Sequence, residues 1–193
     1  SIINVTGGTF RGGMDAWVLN NIEGEKAELN IKGGNFNANP TSYVADGYLA
    51  VENNGVWNVE LAAAKIGTTA YATFADALAA VKGDETLTLL ADLNLKEILT
   101  INKAITFDGN GKTLTSSAGR AINVSGAEAN GVKIQNLTIN ASGERAINII
   151  QNATNVTVDN VTATAANYTV NVAASAPAAV VAIKNSTLNG LCT

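Results

Sequence analysis

Short runs of strict apolar–polar alternation, each closed by Asn, Gly or Ser, recur along the second half of the chain. Val132-Lys133-Ile134-Gln135-Asn136-Leu137-Thr138-Ile139-Asn140 aligns with Val156-Thr157-Val158-Asp159-Asn160-Val161-Thr162-Ala163-Thr164 and with Val181-Ala182-Ile183-Lys184-Asn185-Ser186-Thr187-Leu188-Asn189, each about one coil-length further along. Ile105-Thr106-Phe107-Asp108, followed after a glycine-rich turn by Thr113-Leu114-Thr115, is an earlier copy with two extra turn residues. A second motif rides in the same period: Arg120-Ala121-Ile122-Asn123-Val124 recurs as Arg145-Ala146-Ile147-Asn148-Ile149 and, more loosely, as Tyr168-Thr169-Val170-Asn171-Val172. Period-two alternation predicts strands. A fixed drift with like aligned on like predicts parallel coils rather than hairpins, because hairpins need a tight turn between equal strands. The fold class expected is therefore all-β, a right-handed parallel β-helix of about 24–25 residues per coil. Val132, Val156 and Val181 should form one inward ladder, Ile134, Val158 and Ile183 a second, and Ile139, Ala163 and Leu188 a third. Asn136, Asn160 and Asn185 should stack at a corner.

The first 36 residues follow the same grammar. Ile3-Asn4-Val5-Thr6-Gly7-Gly8-Thr9-Phe10 matches Leu29-Asn30-Ile31-Lys32-Gly33-Gly34-Asn35-Phe36 at an offset of 26, with Ala16-Trp17-Val18-Leu19-Asn20 as an intervening strand. Residues 37–60 break the period, and Asn53-Asn54-Gly55 between two apolar runs predicts a β-hairpin cap. After Leu61-Ala62-Ala63-Ala64-Lys65 comes one clear helix, with Thr73 as N-cap, Asp76 three residues on, Phe74, Ala77, Leu78 and Val81 on one face, and Lys82-Gly83 as the stop. The face suits a plug for the open end of a solenoid that starts at Glu85-Thr86-Leu87-Thr88-Leu89-Leu90. This division predicts two tandem units: residues 1–60 as the last coils and cap of one β-helix, and 61–193 as the capped beginning of another. Solenoid ends left uncapped would invite strand pairing between copies, end to end.

The order helix, Gly83-Asp84-Glu85, apolar strand, polar corner, then Ile105 to Leu114 resembles the opening of right-handed parallel β-helix proteins of the pectate-lyase-like superfamily. The chain also resembles the repeat modules of large adhesin-like surface proteins from gut bacteria. In those modules a Gly-Gly-x-Phe segment, a Tyr-Val-Ala-Asp-Gly-Tyr segment and a Lys-Ile-Gly-x-Thr-x-Tyr-x-Thr segment follow in order; here they are residues 33–36, 43–48 and 65–73. The resemblance implies a structural or adhesive role, as stalk, adhesin or fibre-forming subunit. The enzymatic alternative it carries is a lyase or hydrolase of acidic polysaccharide.

Composition narrows the chemistry. The chain is 47% hydrophobic but 5% aromatic, so its core is built of small and β-branched side chains. A formal charge of −4 disfavours nucleic acid as a partner. No run approaches the roughly 20 apolar residues that span a bilayer. The absence of histidine removes imidazole bases and the commonest zinc ligand, and the single cysteine, Cys192, leaves neither an internal disulfide nor a thiolate cluster. No cofactor or metal is expected, and no catalytic residue is assigned. Low charge and abundant Asn, Thr and Gly point to a secreted protein at a bacterial surface.

Three surface features remain as binding candidates, with glycans as the partner in view. The outward row Asp108, Gln135, Asp159 and Lys184 places its two carboxylates two coils apart, roughly 10 Å by strand spacing, a poor calcium cage and at best a strained fit to an inverting pair. Arg120 and Arg145 should stack at one strand spacing, a like-charge pair that Glu144 or Glu128 would have to screen, or that a uronate or sulfate would occupy. Finally, Thr113, Thr138, Thr162 and Thr187 form one row and Thr115, Asn140, Thr164 and Asn189 a parallel one. Such flat Thr-x-Thr arrays resemble the ice-binding faces of some β-solenoids, although Thr is also the best polar residue on an exposed strand. Asn-x-Ser/Thr triplets at Asn4, Asn136, Asn152, Asn155, Asn160 and Asn185 would matter only in a eukaryotic secretory protein.

Overall fold

The N-terminal segments pair as their alignment predicts. The computed structural model describes residues 2–12 and 28–193, so the strand expected at residues 16–20 lies outside the described residues. Ile2–Phe10 (β1) and Glu28–Phe36 (β2) run parallel with Ile3 opposite Leu29 and Phe10 opposite Phe36. The register slips locally at Thr6, which faces Gly33, before the two phenylalanines stack at 4.9 Å. Tyr48–Asn53 (β3) and Val56–Leu61 (β4) form the expected hairpin. Its two-residue turn puts both Asn54 (φ 52°) and Gly55 (φ 79°) in the left-handed region, as the type I′ geometry that matches strand twist requires. The hairpin pairs antiparallel with β2 and closes a four-stranded sheet whose small core holds Leu29, Ile31, Phe36 and Val59.

Ala64–Ile66 (β5) and Thr69–Tyr71 (β6) form a second, shorter hairpin that pattern reading did not find. Three-residue strands carry too little alternation to register against their alanine-rich surroundings. Strand β5 pairs antiparallel with Thr86–Leu89 (β7), so the hairpin covers the outer edge of the first coil. The helix Phe74–Ala80 (α1) follows, and the Thr73 hydroxyl accepts from the Asp76 amide at 3.1 Å as expected of its cap. Its end differs from expectation: Val81 is already extended (φ −60°, ψ 136°), and the Lys82 amide donates to Glu85 instead of a glycine closing the helix. Ala77 and Val81 are buried and Phe74 and Leu78 half-buried against the large core, with the Phe74 ring 5.9 Å from that of Phe107. The helix thus lies over the first coils. Thr73→Ala should cost about 1 kcal/mol by denaturant titration, the usual value for a lost N-cap.

From there the chain winds as a parallel solenoid of about seven turns. Leu93–Leu95 (β8), Leu99–Ile101 (β9), Thr106–Asp108 (β10), Thr113–Ser116 (β11), Arg120–Ser125 (β12), Lys133–Ala141 (β13), Arg145–Ile150 (β14), Val156–Val172 (β15), Val181–Lys184 (β16) and Thr187–Cys192 (β17) follow in order. Three parallel columns result. One stacks β7, β10, the start of β13, the start of β15 and β16. A second stacks β8, β11, the end of β13, the middle of β15 and β17. The third stacks β9, β12, β14, the end of β15 and the end of β17. Every ladder predicted from the alignment is in register: Val156 faces Val181, Ile134 faces Val158 and Val158 faces Ile183, and Ile139 faces Ala163 and Ala163 faces Leu188. Inwardness holds except in the last rung, where Ile183 is exposed, because no described coil covers it. Asn136, Asn160 and Asn185 share a left-handed corner conformation, with φ of 51°, 53° and 47°. Asparagine is the residue besides glycine that adopts it most readily.

The two cores meet at a short joint. There the Ala62 amide, donating to the Gly47 carbonyl, extends the β3–β4 hairpin by one pair, and Lys65 Nζ reaches back to Asp46 Oδ2 at 2.8 Å. The hydrogen bond from Lys65, reinforced by its charge, holds the Asp46 carboxyl below its ordinary value. A depressed carboxylate adds stability above its unfolded titration range and loses it as pH falls through the folded one, so this exposed bridge loosens on acidification.

Candidate functional site

The threonine rows are built as the sequence predicts. Thr113 faces Thr138, Thr138 faces Thr162 and Thr162 faces Thr187, while Thr115 faces Asn140, Asn140 faces Thr164 and Thr164 faces Asn189. Strand pairing adds one rung that the alignment missed, since Asn94 faces Thr115. Leu114, Ile139 and Ala163 between the rows are fully buried, so alternation turns the hydroxyls and amides outward on adjacent coils, roughly 4.8 Å apart. The face is flanked by two shallow grooves. One, of about 420 Å³, is lined by Asp108, Asn110, Asn136, Thr138, Asn160 and Thr162. The other, of about 360 Å³, is lined by Thr115, Ser116, Ser117, Asn140, Ser142 and Thr164.

The outward row Asp108, Gln135, Asp159 and Lys184 is also in register, but its carboxylates are committed to structure. Asp108 accepts from Gln135 Nε2 at 2.7 Å, from Asn136 Nδ2 at 3.1 Å and from the Asn110 amide at 2.8 Å. Asp159 accepts from Asn185 Nδ2 at 2.9 Å and lies 3.8 Å from Lys133 Nζ. Three hydrogen bonds thus tie Asp108 to its corner, and one ties Asp159 to the next. Among the described residues no three acidic or thiol groups gather as a metal would need.

Arg120 and Arg145 are cross-strand partners, and the next rung of the same column is Tyr168. Arg145 packs over that ring at 5.8 Å from its centroid, donates from Nη1 to Asn148 Oδ1 at a long 3.4 Å, and has Nε 3.9 Å from Glu144 Oε2. The screening expected of Glu128 is not there: its side chain lines a separate groove with Lys82 and Lys103. That glutamate sits past β12, on a turn that carries it away from the arginine rungs.

Beneath the arginines lies a ladder that sequence reading aligned but did not single out. Asn148 Nδ2 donates to Asn123 Oδ1 at 2.9 Å, Asn171 Nδ2 donates to Asn148 Oδ1 at 2.7 Å, and the Thr193 hydroxyl donates to Asn171 Oδ1. The recurring Asn of Arg-Ala-Ile-Asn was the available signal. Asn148 is 2% exposed. Replacing it with alanine strands an acceptor on Asn123 and a donor on Asn171, an expected cost of about 2–4 kcal/mol in chemical denaturation, with Asn94→Ala near neutral as control.

Comparison with family models, with curated proteins and with solved structures returns no match to this chain.

Proposed function

We propose that this chain is a structural and adhesive repeat module of a secreted bacterial surface protein, a stiff spacer that holds binding regions away from the cell. The observation that carries the reading is the joint between the two cores. The β3–β4 hairpin that caps the first passes within three residues into the β5–β6 hairpin that covers the second. The Lys65–Asp46 bridge ties cap to cap, and Tyr48 and Ala50 of β3 line one groove together with Thr68 and Ala70 of the β5–β6 hairpin. A mobile linker would decouple the units, whereas a fastened joint passes load from one to the next. On this reading residues 1–60 end one β-helix unit and 61–193 begin another. Of the segments 33–36, 43–48 and 65–73, by which the chain resembles gut-bacterial surface modules, the first ends coil strand β2 and the other two lie at the caps and their joint.

Single-molecule stretching of the chain between flanking marker domains tests this. A load-bearing spacer should give discrete unfolding events, with contour-length steps corresponding to the chain held in one or a few whole coils. Featureless extension at the force of an unstructured linker would overturn the reading. Because Asp108 and Asp159 are committed to corner hydrogen bonds, incubation with polygalacturonate should leave the polymer's size and unsaturation unchanged; depolymerisation abolished by Asp159→Ala would instead establish the enzymatic alternative.

A further inference from the structure

We infer that the Arg120–Arg145 pair is a binding site for the oxoanion of an acidic sugar, the carboxylate of a uronate or a sulfate ester on a polysaccharide. The inference rests on the adhesive reading for the source of the anion, and on the column itself for the chemistry. Two guanidiniums on neighbouring rungs repel, and a like-charge cross-strand pair is destabilising unless something answers it. The protein answers it poorly. Glu144 is half-exposed and 3.9 Å from Arg145 Nε, beyond hydrogen-bonding distance, and no carboxylate forms an ion pair with Arg120 among the described residues. The Nε–H of each arginine is buried and has no acceptor in the protein, so an incoming anion would engage the Nη groups, whose binding the Nε–H resonances then report. Each guanidinium carries about five donors, yet among the described residues the pair makes one long bond, from Arg145 Nη1 to Asn148.

Asn148 has nothing more to give, because its carbonyl already accepts from both Asn171 and Arg145. What is missing is therefore acceptor oxygens and negative charge together. A planar carboxylate or a tetrahedral sulfate supplies both, and the guanidinium fork matches either bidentately. The adhesive reading supplies a sugar as the carrier, and the next rung supplies a reporter beside the cations, Tyr168, whose ring lies under Arg145. In a chain with a net charge of −4, such a site would be local and short-ranged, selecting single acidic residues along a glycan rather than attracting polyanions at a distance.

The test follows the arginine Nε–H and backbone amide resonances by NMR while trigalacturonate, a sulfated galactose trisaccharide, the neutral galactose trisaccharide and sodium sulfate are titrated at constant ionic strength. The expected result is saturable shifts of Arg120 and Arg145 Nε–H and of Tyr168 with one or both acidic trisaccharides, and none with the neutral one; which of the two saturates identifies carboxylate or sulfate ester. Affinity should fall at least tenfold in Arg120→Gln and in Arg145→Gln, and by less in Arg145→Lys, which keeps the charge but not the fork. The unshifted remainder of each spectrum reports whether the variant is folded. Equal binding by the glutamine variants, no binding of either acidic sugar, or binding of inorganic sulfate as tight as that of the sugars would overturn the inference. Stretching needs no ligand, so a chain that binds no anion but unfolds in coil-sized steps loses this site and keeps the spacer role.

Discussion

Replacing Ile147 with alanine is expected to lower the stability of the solenoid by about 3–4 kcal/mol, within the range for emptying a fully buried isoleucine site. Ile147 is completely buried and sits between Ile122 on one coil and Val170 on the next. A solenoid coil touches only its neighbours, so the void cannot be filled by a side chain arriving from across a globular core. The cavity term should therefore be close to its full value. The loss also falls on an interface between coils rather than on the molecule as a whole. Urea titration followed by far-ultraviolet circular dichroism should show an added early transition relative to the unsubstituted chain, with coils beyond β14 melting first. Thr164→Ala, on the exposed row one column away, should move the midpoint by no more than about 0.5 kcal/mol. A single unshifted transition for Ile147→Ala would mean that the stack absorbs cavities by sliding, contrary to nearest-neighbour coupling.

Gly143→Ala is expected to cost at least about 3 kcal/mol, more than overpacking usually does. A Cβ at Gly143 would collide with the Ala118 carbonyl oxygen and stand 2.8 Å from Gly119 Cα. Both obstacles are backbone, which cannot rotate aside as a side chain could, so the only relief is to pry the coils apart at the corner that leads into the arginine column. Gly119, one coil earlier, has open space where its Cβ would go, and Gly119→Ala should be neutral or gain up to about 1 kcal/mol through the unfolded chain. Thermal melting of the two variants side by side distinguishes a close-packed corner from a general need for glycine there. Equal melting temperatures would refute it.

The contrast between these two glycines shows where sequence reading stops. Gly119 directly precedes one copy of the Arg-Ala-Ile-Asn motif, while Gly143 stands one residue further ahead of the next and aligns with Ala118. That offset is visible in the sequence, but its consequence, the close approach of one coil to the other, is not. Periodicity was legible because the pleat repeats every second residue and the coil at a near-constant spacing, so Val132, Ile134, Ile139 and their partners could be assigned to ladders directly. The N-cap at Thr73 and the turn at Asn54-Gly55 were legible for a similar reason: their chemistry is local. The β5–β6 hairpin was not, because its identity comes from pairing with β7 rather than from its own pattern. At the candidate site, the Arg120–Arg145 and threonine rows followed from alignment alone. The burial of Asn148 and the unmet Nε–H groups did not, since both depend on which face of a half-buried strand the neighbours cover.

The asparagine columns share a direction. Asn148 donates to Asn123, Asn171 to Asn148, Asn155 to Asn130, Asn160 to Asn136, Asn136 to Asp108 and Asn185 to Asp159. In every case the side-chain amide N–H points toward the earlier coil. Side-chain dipoles that would cancel if arranged at random instead add along the axis, so the rod has an electrical head and tail much as an α-helix does. The N–H end, at the early coils, is its positive pole, and the carbonyl end, at the late coils, its negative one. A coil joined in the same sense extends this alignment, whereas one joined in reverse opposes amide to amide, so the columns themselves encode which way successive coils must face.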